Sequence, residues 1–262
     1  MTDSVLYDVD GAVATVTINR PAARNALTAP AKAGLLAALQ TASVDTQIRA
    51  VVLTGAGGAF CAGQDLREHA ELLDAGAAVA LDTVRTHYNP IIEAIAGMPK
   101  PVVAALPGVA AGAGAGLAFA ADFRIAAERV TLLLACARVG LGADSGTSWT
   151  LQRLVGPAKA AELLMLAEPV DALTALDLGL LTSVVPDEEL PAAAAAFAGR
   201  LAAGPTLAYA AIKEGIRFAA AHSLSDALAK EAELQRRLGE TSDHQAATRA
   251  FVARQEPTYH GS

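Results

Sequence analysis

PVVAALPGVAAGAGAGLAFAA, the stretch from Pro101 to Ala121, carries no charge and is long enough to span a bilayer. Its content argues otherwise. Pro107 interrupts it, Gly108, Gly112, Gly114 and Gly116 dilute its hydrophobicity, and most of the remainder is alanine. The run reads as a buried strand (Val102 to Leu106), a Pro107-Gly108 turn, and a short buried helix whose small residues let another group approach closely. Upstream, Ala50-Val51-Val52-Leu53-Thr54 is a second buried strand, followed by a Gly-rich loop from Gly55 to Gly63. Downstream, strands over about Phe123 to Ala126 and Val130 to Leu134 lead to Gly140. At the start, Val5, Tyr7 and Val9, the Asp10-Gly11 turn, and alternation from Val13 to Ile18 predict a hairpin. After Arg20-Pro21, Thr28 is the expected N-cap of a helix running to about Val44, and a second helix fills about Ala77 to Ala96. From Ser145 the chain is mostly helical, with one strand at Leu181 to Val185. Strands alternating with helices place it in the α/β class. No Gly/Ser or Pro-rich linker divides the chain, so we expect a core over 1–200 and a helical region over 201–262.

Composition narrows the function. The 262 residues have a net charge of −7, with 53% hydrophobic but only 4% aromatic side chains. An acidic chain without a basic, aromatic-interleaved patch is not built for nucleic acid. Two cysteines, Cys61 and Cys136, do not make a disulfide scaffold. Met1 to Asp10 has three Asp and no basic residue, so no signal peptide, no membrane partner and a cytoplasmic location are expected. There is no P-loop, Gly-x-Ser-x-Gly, His-Glu-x-x-His or Cys-x-x-Cys. None of the five histidines has metal-ligand spacing, so neither a metal nor a cofactor is expected.

Two Gly-rich turns share one physical character. Phe60-Cys61-Ala62-Gly63-Gln64-Asp65-Leu66 and Gly112-Ala113-Gly114-Ala115-Gly116 each follow a buried strand and open a helix. Backbone N–H groups at such places are free to face a ligand, and two of them can converge on one oxygen. Tight packing alone also accounts for either turn. A third feature is Asp144, in Gly140-Leu141-Gly142-Ala143-Asp144-Ser145-Gly146-Thr147-Ser148-Trp149. It is either a helix cap, a role Ser145 and Thr147 could equally fill, or a proton shuttle whose pKa desolvation raises.

Taken in order, these segments resemble the crotonase superfamily, the enoyl-CoA hydratase/isomerase family. The likeness covers almost the whole chain. It includes Ile18-Asn19-Arg20-Pro21, Arg24-Asn25-Ala26-Leu27, Arg49 to Gly55, Phe60 to Leu66, Lys100 to Ala105, Gly108 to Asp122, Gly179-Leu180 with Val184-Val185, and Ala250-Phe251 with Pro257. The resemblance implies a spiral of ββα repeats with a C-terminal helical trimerisation region, a homotrimer or dimer of trimers, and an acyl-CoA thioester as substrate. The family's oxyanion-hole N–H donors fall on Gln64 and Ala113. CoA would lie against Arg24, Ala26, Ala62, Asp65 and Leu66, with Arg24 as a phosphate partner.

The departures matter most. Positions where family hydratases carry two glutamates are Gly116 and Cys136 here, and neither moves a proton as a carboxylate does. Asp144-x-Gly146-Thr147-x-Trp149, with Arg153-Leu154 and Gly156, is similar to epoxyphenylacetyl-CoA isomerases and Δ3,Δ2-enoyl-CoA isomerases. That likeness implies isomerisation with Asp144 as sole acid and base, and Cys136 and Trp149 lining the acyl pocket. Three alternatives stay open. One is a hydratase or lyase using other groups; another is a non-catalytic acyl-CoA binder. The third is a dehalogenase-like CoA thioester hydrolase with Asp144 as nucleophile, although that enzyme's supporting Trp and His align with Cys136 and Asn89.

Overall fold

The computed structural model describes residues 3–262. Strands β1 (Val5–Asp10) and β2 (Val13–Ile18) form the expected hairpin, turning at Gly11 with φ +55° and pairing Val5 with Ile18 through Asp10 with Val13. The alternation sorts the faces: Ala14, Val16 and Ile18 are buried, and Val13, Thr15 and Thr17 only half so. Helix α1 (Ala29–Val44) follows Thr28, whose extended backbone suits an N-cap although its hydroxyl makes no capping bond. Next come β3 (Ala50–Gly55) and α2 (Leu66–Asp74). The helix expected over Ala77 to Ala96 is present in three pieces: α3 (Ala77–Thr83), a π-helical turn over Val84–Tyr88, and α4 (Asn89–Gly97).

The uncharged run divides into β4 (Val102–Leu106), β5 (Ala110–Ala111) and α5 (Ala113–Ala120), every residue of which is buried. Among the described residues no helix is long and apolar enough to cross a membrane. The chain continues through β6 (Phe123–Ala127), β7 (Thr131–Leu133), a 3-10 turn at Ala135–Val139, and α6 (Thr147–Leu166), which bends at Gly156-Pro157. Then follow β8 (Val170–Asp171), α7 (Ala172–Asp177), β9 (Ser183–Val185), α8 (Leu190–Ala202), α9 (Thr206–Ala219), α10 (Leu224–Gly239) and α11 (Ser242–Val252).

The large sheet runs β1-β2-β3-β4-β6-β9 and is parallel apart from the hairpin. A second, shorter layer holds β5-β7-β8, with single parallel bridges joining Cys61 to Ala110 and Leu27 to Gln64. Each coil therefore repeats one path: a strand of the large sheet, a few residues in the second layer, then a helix. β3, Cys61 to Gln64 and α2 make one such coil, and β4, β5 and α5 make the next. This is the ββα spiral with a C-terminal helical region. The second layer escapes a pattern reading because stretches of two or three residues show no period.

One face of the large sheet packs Val51, Leu53, Val102, Ala104 and Leu106 into the main core. The other packs Val52, Val103, Ala105 and Ile125 against Leu190, Ala194, Ala198 and Ala202, spaced four apart along one side of α8. Buried Arg124 joins the layers. Its Nε donates to Leu180 O (2.8 Å) and its Nη1 to Ala121 O (2.7 Å) and Ala118 O (3.4 Å), tying the end of α5 to the chain before β9. Cutting it back to Arg124→Met keeps the stem but strands these carbonyls. Urea denaturation should show a loss of about 2–3 kcal/mol.

Candidate active site

Asn25 holds the first two coils together. Fully buried and left-handed at φ +58°, it donates through Nδ2 to Ala56 O (2.9 Å) and Ala59 O (2.8 Å) and accepts Arg20 N on Oδ1 (2.9 Å). Leu27 N donates to Gly63 O (2.7 Å) and Asp65 N donates to Leu27 O (3.1 Å). A parallel bridge of this kind leaves the N–H of the middle residue, Gln64, facing away from its partner strand. On the next coil, Ala111 N donates to Cys61 O (2.9 Å) and Gly112 N to Leu133 O (2.8 Å), and Ala113 is the first residue of α5. An N–H in that position has no acceptor inside its own helix. The two turns lie against each other. A Cβ built on Gly63 would meet Ala111 O at 2.7 Å and Ala113 N at 3.3 Å, and one on Gly114 would meet Cys61 O at 2.1 Å. Gln64 and Ala113 are thus brought together.

Asp144 sits in the turn before α6, next to Ser145 at φ +50° and Gly146 at φ +72°. Its carbonyl, not its carboxylate, serves the helix start, accepting Thr147 N (2.9 Å) and Thr147 Oγ1 (2.8 Å). The carboxylate is left for other work. Burial pushes it above the usual carboxylate range, offset in part by the neighbouring Ser145 hydroxyl and Cys136 thiol. Cys136 Sγ approaches Asp144 Oδ1 at 3.9 Å, and burial followed by that carboxylate raises its own pKa. Buried Cys61 is pushed up to about 12, so neither thiol is a ready nucleophile. A Cβ on Gly116 would lie 2.6 Å from Ser145 Cβ, so the Asp144-Ser145 turn rests directly on α5.

Behind Gln64 lies a buried polar cluster that no motif announced. Tyr88 Oη donates to Gln64 Oε1 (2.6 Å), and Lys32 Nζ donates to the same oxygen (3.1 Å) and to Thr83 Oγ1 (2.7 Å). The available signals were a lysine at a core-facing position of α1 and a tyrosine at helical spacing from Val84, Ile91 and Ile92. The expected CoA residues gather beside this turn. Ala62 N donates to Arg24 O (3.0 Å), and Arg20 Nη1 reaches both Ala26 O and Asp65 Oδ2, the latter at 2.9 Å. Asp65 caps α2 through Arg67 N and Glu68 N. Burial opposes its charge, but Arg20 and these N–H groups hold it below the usual range. Arg24 and Leu66 are exposed, and Arg24 forms no ion pair among the described residues.

The model of the enoyl-CoA hydratase/isomerase family matches residues 8–262. The chain belongs to that family. It is similar to a protein of Rhodobacter capsulatus named "Probable enoyl-CoA hydratase", 40% identical over 98% of each chain. It is also 37% identical to the 1,2-epoxyphenylacetyl-CoA isomerase of Escherichia coli over the full length of both. Among solved structures, an enoyl-CoA hydratase from Polaromonas superposes with a TM-score of 0.92 at 36% identity, covering 97% of this chain and 99% of that one.

Family membership implies an acyl-CoA substrate, and the relatives' names divide between hydratase and isomerase. Not every expected residue joins the family site. Trp149 stands in the first turn of α6 with the Arg153 guanidinium stacked 3.9 Å from its ring, and lines a separate cavity of about 770 Å³ with Lys213, Arg217 and Phe218. Asn89, at the dehalogenase histidine's position, is exposed. The spacing of the two turns is open to test. Gly114→Ala puts a Cβ 2.1 Å from Cys61 O, which must push Gln64 and Ala113 apart. Displacing one such donor should lower kcat on acyl-CoA substrates by about 10²-fold, read in steady-state kinetics.

Proposed function

We propose that the chain is an acyl-CoA thioester isomerase, shifting a double bond or rearranging an enoyl- or epoxyacyl-CoA with Asp144 as single acid and base. One observation carries this reading: the Asp144-Ser145 turn packs against both positions where family hydratases carry glutamates. Asp144 Oδ1 lies 3.9 Å from Cys136 Sγ, and Ser145 fills the space beside Gly116. One carboxylate stands where a hydratase has two. Water addition needs a base for the water and an acid for the α-carbon, whereas moving a proton between two carbons needs one group that does both.

The thioester oxygen of a 3-enoyl-CoA accepts from the N–H groups of Gln64 and Ala113. Asp144 takes a proton from C2, and the C–H electron pair delocalises into a dienolate with its charge on that oxygen. The same carboxyl returns the proton to C4 as the double bond settles between C2 and C3. Arg24, an exposed cation beside Ala62, suits the CoA phosphates. Assembly as a homotrimer or dimer of trimers is supported by Ile212, Ile216, Leu224 and Leu228, large apolar side chains exposed on α9 and α10.

Asp144→Asn should slow conversion of a 3-enoyl-CoA to its conjugated isomer by about 10²–10⁴-fold, followed by thioester absorbance, while acyl-CoA binding persists. An unchanged rate, or fast water addition to crotonyl-CoA in Asp144→Asn, overturns the assignment. The raised pKa fixes the sign of two pH effects. Isomerisation falls as pH drops through a value above the usual carboxylate range, and this inflection is absent from Asp144→Asn. A carboxyl whose pKa is raised by folding costs stability above that pKa. Asp144→Asn should therefore show the higher Tm at neutral pH, with the difference shrinking as pH falls.

A further inference from the structure

Lys32 is 1% exposed, yet it carries a charge into the core. Its three ammonium protons are all directed: to Gln64 Oε1 (3.1 Å), to Thr83 Oγ1 (2.7 Å) and toward Glu68 Oε1 (3.8 Å). Glu68 is itself held by Ala29 N at the start of α1 (3.0 Å). Burial lowers the Lys32 pKa, and Glu68 opposes that shift. An ammonium cannot accept a hydrogen bond, so the amide atom of Gln64 facing it is the oxygen. That oxygen takes a second bond from Tyr88 Oη (2.6 Å), a group placed there by the π-helical turn, with the ammonium 5.2 Å from the Tyr88 ring centre. Both lone pairs of Oε1 are used.

The backbone explains what such an anchor can do. The peptide carrying the Gln64 N–H begins at Gly63, a residue at φ +84° with no side chain to limit its rotation. On the Leu27 side this peptide is held through Gly63 O alone (2.7 Å). A side chain gripped by two donors from two other helical segments removes the remaining freedom. We propose that Lys32 is a positioning residue for the oxyanion hole: with Tyr88, it grips Gln64 Oε1 and so aims the backbone N–H of residue 64 at the thioester oxygen. This rests on reading Gln64 and Ala113 as the oxygen's donors, and not on the isomerase assignment.

Removing the ammonium by itself leaves Gln64 Oε1 and Thr83 Oγ1 short of a donor and Glu68 without its cation, so a stability loss alone does not distinguish a positioning residue from a structural one. Lys32→Met, Tyr88→Phe, Gln64→Leu and the Lys32→Met/Gln64→Leu double variant separate the roles. The probe is hexanoyl-CoA labelled with ¹³C at its thioester carbonyl, whose stretching frequency falls when the oxygen is hydrogen-bonded. On the wild-type protein the bound carbonyl should show that fall. In Lys32→Met and Gln64→Leu it should return toward the free value, with Tyr88→Phe between. kcat should drop about tenfold or more with KM nearly unchanged, since the donor is misaimed rather than removed. The carbonyl frequency and kcat of the double variant should match those of the single ones, although Tm falls wherever the Lys32 ammonium is removed. An undiminished carbonyl shift in Lys32→Met, or losses that multiply in the double variant, overturns the role of Lys32. If Lys32→Met does not fold, an undiminished shift in isosteric Tyr88→Phe together with Gln64→Leu does the same. No shift on the wild-type protein overturns instead the oxyanion-hole reading beneath it.

Discussion

The closest approach of two successive coils of the spiral is the contact on which the site depends. Where the coil of β3 meets the coil of β4, backbone touches backbone, and a Cβ on Gly114 would be 2.1 Å from the Cys61 carbonyl oxygen. Contact this close requires that residue 114 carry no side chain. It puts the exit of one second-layer strand beside the start of the next helix. Two N–H groups, one left over by a parallel bridge and one by a helix start, are then brought close together. The small residues Ala113-Gly114-Ala115-Gly116 at the start of α5 answer the same need, while large side chains such as Phe60, Leu35 and Tyr88 fill the rest of the core.

A second tight contact places Asp144, the proposed acid/base. Ser145, buried and at φ +50°, can lie on α5 only because residue 116 is glycine. The bend through Ser145 and Gly146 turns the Asp144 carbonyl to the start of α6 and frees its carboxylate. The carboxylate is half-buried and its pKa is raised, a cost to stability at neutral pH. That cost is what a group needs if it is to both take and return a proton near neutrality.

Long elements were legible from pattern alone. The hairpin at Asp10-Gly11, α1 after Thr28, and the buried strands β3 and β4 all have the period or apolar run that physics demands of them. The second layer was not legible, because β5 and β8 have two residues each and exist through pairing with distant segments. The Gly-rich turns announced themselves as places of close approach, but only the coil-to-coil contact says which backbone groups meet. Trp149 misled by proximity in sequence: it lies on α6, beyond the bend through Ser145 and Gly146, and lines a cavity with residues of α9 instead. Lys32 and Tyr88 stood singly at core-facing positions, and nothing linked them to Thr83 or to each other, since a polar cluster assembled from three segments has no local spacing.

The two halves of this site differ in how they can change. The proposed donors are backbone groups, so substitution alters them only by moving a coil. The proposed acid/base is a side chain, and positions 116, 136 and 144 are neighbours: Cys136 Sγ lies 3.9 Å from Asp144 Oδ1, and Gly116 lies against Ser145. They are not independent. With Asp144-Ser145 resting on Gly116, a glutamate at 116 would have to displace the turn that presents Asp144. Gly116 is therefore more than a missing glutamate. It is the room that the Asp144 arrangement requires, and a change from two carboxylates to one in this fold involves both positions at once.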